Sequence, residues 1–239
     1  LNEERVKLSK RHGAVSVEKF RERGYLPQAL LNFIALLGWN PGDDREVLSL
    51  EEMVDEFRFE RVSKSGAVFD REKLNWMNQQ YLLKLPEEEY FRVIDDVIQK
   101  GDYHDQDPGK IRQAAEILKT RLVTLSDLNQ KLGLFFEENP VIKDFQAIEV
   151  LKEENSETVL KEFLQQAENL DQLTSENLGQ LVKSVQKTTG IKGRGLWMPL
   201  RCAITREVSG PELPAMLDFF GGEKCLHLIR QTLVNPSLN

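Results

Sequence analysis

The run Lys7-Leu8-Ser9-Lys10-Arg11-His12-Gly13 sets two lysines, a serine and an arginine on a short, glycine-ended loop. Such a loop can grip a polyphosphate. A mobile lysine there can stabilise negative charge as it develops on a leaving pyrophosphate, more in the transition state than in the ground state. No strand-rich nucleotide-binding fold precedes the loop, and alone it cannot shape an adenosine pocket. The expectation is the back half of an ATP-using enzyme. The plain alternative is a frayed, solvated basic terminus.

The other cations also fall in groups. Lys110, Arg112, Lys119 and Arg121 form one, and Lys187, Lys192, Arg194, Arg201 and Arg206 another. Each group lies near a turn or a helix end, where backbone donors point outward. Net charge over the 239 residues is -7, which argues mildly against a nucleic-acid binder. The acidic residues crowd the helix starts and residues 137–162, however, so a positive track for a phosphate backbone remains. Cys202 and Cys225, with three scattered histidines, make no zinc spacing and fit a reducing compartment. No apolar run reaches the ~18 residues of a membrane span.

The elements that must position these residues read as helix after helix. Pro27 opens one and Gly38 closes it, with Ala29, Leu30, Phe33, Ile34 and Leu37 at helical spacing. Ser49 and Glu52 form a capping box, and Asp70 is an N-cap ahead of Leu74, Met77 and Tyr81. Pro86 opens an acidic first turn, and Asp107-Pro108 starts another helix. Ser156, Ser175 and Pro211 open three more, the last ended by Gly221-Gly222, and a final helix carries Leu226 to Leu233. Trp39, Trp76 and Phe33 read as core. The fold class is mostly α, with a domain break near Glu137-Glu138-Asn139-Pro140.

Against this frame the strings resemble a known family. KLSKRHG is similar to the KMSKS loop of class I aminoacyl-tRNA synthetases, in the KLSKR form of bacterial-type glutamyl-tRNA synthetases. GYLPQALLNFIALLGWNPGDD (24–44) resembles the segment that follows that loop, and LEEMVDEFRFERVSKSGAVFDREKLNWMNQQY (50–81) resembles the family's stem-contact domain. LWMPLRCAIT (196–205) and the later FFGGEKCL run resemble its terminal anticodon-binding domain. The likeness covers essentially the whole chain. It is most specific in 1–81, and rests mainly on order and spacing in 85–185.

The resemblance implies a division into 1–84 (loop and helical stem-contact domain), 85–138 and 139–239 (two helical anticodon-binding domains). It implies a cytoplasmic, monomeric, tRNA-binding part of an enzyme that joins glutamate to tRNA(Glu) through an adenylate, with ATP and Mg. The HIGH signature, the glutamate pocket and the acceptor-stem insertion with any zinc would lie before residue 1. The chain alone is therefore expected to hold no cofactor or metal and to aminoacylate nothing.

Residue by residue, Lys10 matches the lysine that contacts ATP phosphates, with Lys7 and Arg11 adding field. Arg121 matches the reader of the third anticodon base, where a guanidinium donates to O2 and N3 of cytosine. The alternative there is a helix-surface arginine. Arg201 matches a contact to the first anticodon base, with Trp197 beside it either stacking a base or packing in the core. Arg206 stands where the family usually has a small residue, and is expected to be an extra phosphate contact or a harmless surface change. Lys64, Lys192 and Arg194 are expected to touch the tRNA backbone. The rival class is a helical protein-interaction module with no RNA role.

Overall fold

The structure, a computed structural model, describes residues 16–63 and 65–234. Lys7, Lys10, Arg11 and Lys64 therefore lie outside the described residues. Among those described there are twelve α-helices and no strand. An isolated antiparallel bridge joins Trp39 to Val62. No helix is long and apolar enough to cross a membrane. The chain divides into two compact units, one of residues 1–107 and 118–131, the other of 108–117 and 132–239.

The first unit holds α1 (Val17–Glu22), α2 (Pro27–Gly38), α3 (Leu50–Glu56), α4 (Arg71–Lys84) and α5 (Glu87–Ile98). Local chemistry sets several of these starts. Ser49 and Glu52 close the expected capping box on α3, and Asp70 caps α4 by accepting from the Lys73 amide. Phe20, Tyr25, Leu30, Phe33, Leu74 and Met77 pack as one cluster, because α2 and α4 each turn an apolar stripe toward the other. Trp39 is core, but Trp76 is 42% exposed and corrects the expectation. It sits two positions from Leu74, about 200° around the helix, and so faces away from the buried stripe.

Two asparagines tie this unit together. Asn32 is fully buried; its side-chain oxygen accepts from the Leu48 amide at 3.0 Å and from the Tyr81 hydroxyl at 2.9 Å. Asn78, also fully buried, accepts from the Leu26 amide at 2.8 Å and donates to the Val123 carbonyl at 2.5 Å. Each amide thereby satisfies backbone groups that would otherwise be stranded in an apolar interior.

The second unit contains α8 (Phe145–Lys152), α9 (Glu154–Ala167), α10 (Ser175–Thr189), α11 (Arg194–Thr205) and α12 (Leu213–Leu233). Helices α6 (Pro108–Leu118) and α7 (Asp127–Phe136) lend residues to both units. Packing runs mainly between α9 and α10, α9 and α11, and α11 and α12. Several boundaries differ from expectation; Pro211 does not open its helix, since α12 starts at Leu213 with Glu212 as its N-cap. Ser156 lies inside α9, where its buried hydroxyl donates to the Val150 carbonyl. The cap of α10 is Thr174, which with Asn177 forms a capping box. The expected break at Gly221-Gly222 is a kink within α12, not an end. Gly221 has φ 75° and ψ 163°, and a Cβ on Gly222 would meet the Leu173 carbonyl oxygen at 2.5 Å.

Candidate nucleic-acid interface

Helix α11 carries the most concentrated set of expected site residues. It starts after Gly193, which has φ 61°; exposed Lys192 precedes that cap and exposed Arg194 is the first helical residue. One turn on, Trp197 is 42% exposed, so it is not the core residue that the alternative reading allowed. Leu196, Leu200 and Ala203, to one flank of Trp197, are buried and anchor the helix. Arg201 follows Trp197 by four residues and so shares its face.

Together Trp197 and Arg201 line a cavity of about 480 Å³. Its other walls are Ser175, Glu176, Leu178 and Gly179 from the start of α10, and Glu212, Leu213 and Pro214 from the start of α12. That volume lies within the range of small-ligand sites. The sequence pointed to Trp197 and Arg201 but missed the α10 and α12 walls. Nothing local in Glu176 or Pro214 marks them, because they reach the cavity only through the packing of three helices.

The Arg201 side chain is 21% exposed and held from one side. Nη1 donates to the Gly210 carbonyl at 2.7 Å and to the Pro211 carbonyl at 3.4 Å, and Nη2 donates to Glu212 Oε2 at 3.0 Å. A guanidinium has five N–H donors in a planar fork. That leaves the Nε–H and one Nη2–H unspent on a side chain that lines the cavity together with Trp197. A flat group with acceptors on its edge fits such a pairing of aromatic face and planar donor.

Arg206 is placed otherwise than expected. It is 6% exposed, with its guanidinium bonded to the Ala203 carbonyl, Thr232 Oγ1, the Leu228 carbonyl and Gln231 Oε1. Burial pushes its pKa down to about 10. It remains charged at neutral pH but cannot reach a phosphate backbone, so that expectation is withdrawn. The interior of α11 and α12 competes for the guanidinium more effectively than solvent does.

Arg121 belongs to the other unit. It ends a short 3-10 turn, Lys119–Arg121, and is half-buried. That turn is fixed by Gln79, whose amide donates to the Thr120 carbonyl at 3.0 Å. The following loop is fixed by Asp127, whose Oδ2 accepts from the Val123 and Thr124 amides at 3.1 and 2.7 Å. Lys119 lies over the Tyr90 ring, 4.6 Å from its centroid. A rigid turn thus carries Arg121, an arrangement a base reader needs. The described residues contain no group of acidic, histidine or cysteine side chains able to hold a metal ion. Cys202 and Cys225 are buried, and burial pushes both thiols up to about 12, so they stay protonated and inert.

A glutamate–tRNA ligase of Listeria monocytogenes is 38% identical over 250 aligned residues, covering 98% of this chain and 50% of the relative. Glutamate–tRNA ligase 1 of Caldicellulosiruptor saccharolyticus is 35% identical over 231, covering 95% and 48%. The chain thus spans about half the length of the curated relatives it matches. Among solved structures, the glutamate tRNA ligase from Elizabethkingia meningosepticum in complex with its amino acid matches with a TM-score of 0.69 at 28% identity, covering 96% of this chain and 48% of that one. The family of class I tRNA synthetase (E and Q) catalytic domains matches residues 1–76, and the anticodon-binding domain family matches residues 76–233. With about two thirds of its length in that second match, the chain belongs to the anticodon-binding domain family.

Proposed function

We propose that this chain is the tRNA-recognising part of an ATP-dependent glutamate–tRNA ligase, and that the cavity under α11 takes the first anticodon base. The base would stack on Trp197 and accept from the unspent Nε–H and Nη2–H of Arg201. The observation that carries this reading is the exposed indole beside a half-satisfied, pre-positioned guanidinium in a domain of the anticodon-binding family. Arg121 is proposed to read the third base, donating to O2 and N3 of cytosine. Lys192 and Arg194, exposed at the start of α11, are proposed to steer the RNA backbone, as is Lys64. Residues 1–84, 85–138 and 139–239 are proposed as the stem-contact and two anticodon-binding domains.

In the whole enzyme ATP with Mg supplies the activated phosphate. Lys10, with Lys7 and Arg11, is proposed to hold its phosphates. By itself the chain is proposed to be a cytoplasmic monomer that binds tRNA(Glu) and catalyses no ATP–pyrophosphate exchange. No observation favours the rival protein-interaction reading.

Titration of the chain with unmodified tRNA(Glu), and with variants changed at the first or third anticodon base, tests the proposal. Binding should weaken steeply between low and moderate salt. Arg201→Lys keeps the charge and loses the fork, and should reduce the first-base preference by about tenfold, the value of a charge-assisted hydrogen bond. Arg121→Gln should do the same at the third base. Equal affinity for every anticodon variant, in the unaltered chain, would sink the reading.

A further inference from the structure

Arg206 is the one described non-glycine residue with a positive φ, at 63°. A side chain in that left-handed region costs roughly 1–2 kcal/mol. The same residue buries a cation whose four acceptors are all neutral, and its Nε, also buried, has no partner. Two unfavourable features at one position persist only where the surroundings over-determine them.

What they hold in place is the segment between α11 and α12. The Arg206 amide donates to the Cys202 carbonyl and ends α11. Its guanidinium clasps the end of α11, through Ala203, to the second half of α12, through Leu228, Gln231 and Thr232. Thr205 Oγ1 lies 2.9 Å from both the Arg201 and the Glu207 carbonyls, which share its one proton. The Val208 amide donates to Asp144 Oδ2 at 2.9 Å. Gly210 then passes so close to Thr205 that a Cβ would overlap the hydroxyl. The segment ends in Gly210, Pro211 and Glu212, whose oxygens take three donations from Arg201.

We infer that Arg206 is a positioning residue for the Arg201 cavity, clamping the 206–212 segment so that its oxygens aim the Arg201 fork at a flat, acceptor-edged group, a nucleobase of RNA. This rests on the reading of that cavity as the first-base site. The orientation of Arg201 then depends on a residue that never meets the ligand. A loosened segment lets the fork rotate, and a planar donor pair discriminates bases only while its plane is held.

The test is a double-mutant cycle on the full chain, read as the ratio of Kd values for tRNA(Glu) transcripts with U or G at the first anticodon position. Arg206→Gly relieves the left-handed strain and removes the clamp. It should lower the U-over-G ratio by about tenfold, the value of one misplaced charge-assisted bond. In an Arg201→Lys background it should lower the ratio no further. Where Arg206→Gly does not fold, Arg206→Lys and Asp144→Asn loosen the same segment more gently, and each should give a partial loss. A ratio unchanged by all three variants overturns the inference, as does the same loss of ratio with and without Arg201. If Arg201→Lys alone leaves the ratio intact, the base-reading of the cavity fails. The clamp is then judged by amide exchange over residues 207–210: faster exchange in Arg206→Gly, or in Arg206→Lys where the glycine variant does not fold, supports it, and unchanged exchange overturns it.

Discussion

Asn32 and Asn78 in the first unit and Arg206 in the second perform the same task with different chemistry. Each is a buried polar side chain that gathers groups distant in sequence. The asparagines do it with neutral amides: Asn78 spans 52 residues to Leu26 and 45 to Val123. Arg206 does it with a cation, reaching 22 to 26 residues ahead into α12. An amide brings a donor and an acceptor and little desolvation cost. A guanidinium brings only donors and a charge that burial penalises. The neutral hubs fit a unit held as a rigid support. The charged hub lies at the end of α11, where the carbonyls left unpaired by a helix terminus favour a cation. A buried charge here serves placement more than stability.

The largest expected effect breaks the neutral side. Asn78→Leu should destabilise the first unit by about 3 kcal/mol, because it strands the Leu26 amide and the Val123 carbonyl in an apolar interior. Chemical denaturation followed by amide exchange in α4 measures it. A loss under about 1 kcal/mol would mean that water reaches those groups and the hub is not needed.

Next is the charged side. Thr232→Val is nearly isosteric and removes the acceptor at 2.7 Å from Arg206 Nη1. The expected loss is about 2 kcal/mol, the range for a hydrogen bond to a charged group. A smaller loss than from Ser156→Ala, which removes a neutral buried bond to Val150, would reverse the comparison.

Alkaline pH separates the units more finely. Cys202 and Cys225 in the second unit, and Tyr81 in the first, are each pushed up to about 12, chiefly by burial. These are acids whose folded pKa is raised, so their contribution is intact below the unfolded value and is lost as pH rises through the folded one. The loss starts near ~8.5 for the thiols and ~10 for the phenol. Arg206 has the opposite sign: its folded pKa is depressed to about 10, so rising pH above that point relieves its burial. Between about pH 8.5 and 10 the second unit should therefore soften before the first. Amide exchange across that window checks the order, and simultaneous softening would contradict it.

The smallest effect is at the surface. Arg45, itself exposed, pairs with exposed Asp43 and Glu52 and with half-buried Glu56. Arg45→Ala should leave the unfolding midpoint unchanged, because solvent screens the network. A clear shift would place part of the first unit's stability outside its buried hubs.

Much of the fold was legible in the sequence where the responsible chemistry is local. The Ser49–Glu52 box, the Asp70 cap and the apolar stripes of α2 and α4 are short-range patterns, and the helices stand where they predict. Trp76 was misread because hydrophobicity alone does not say which side of α4 faces the core. Ser156 was misread as a cap because α8 and α9 turn so tightly that its hydroxyl closes onto Val150 instead. In the site, Trp197 and Arg201 were legible as an aromatic and a fork four residues apart on one helix face.

The sequence by itself determined most of the helices, the caps of α3 and α4 and the family to which its motifs point, since these depend on residues within a turn or two of each other. Tertiary structure alone decided that Arg201 lines a cavity while Arg206, five residues on, is buried. The physical reason is that a guanidinium's fate depends on where acceptors lie. Those of Arg206 come largely from α12, which approaches only when the helices of that unit pack together.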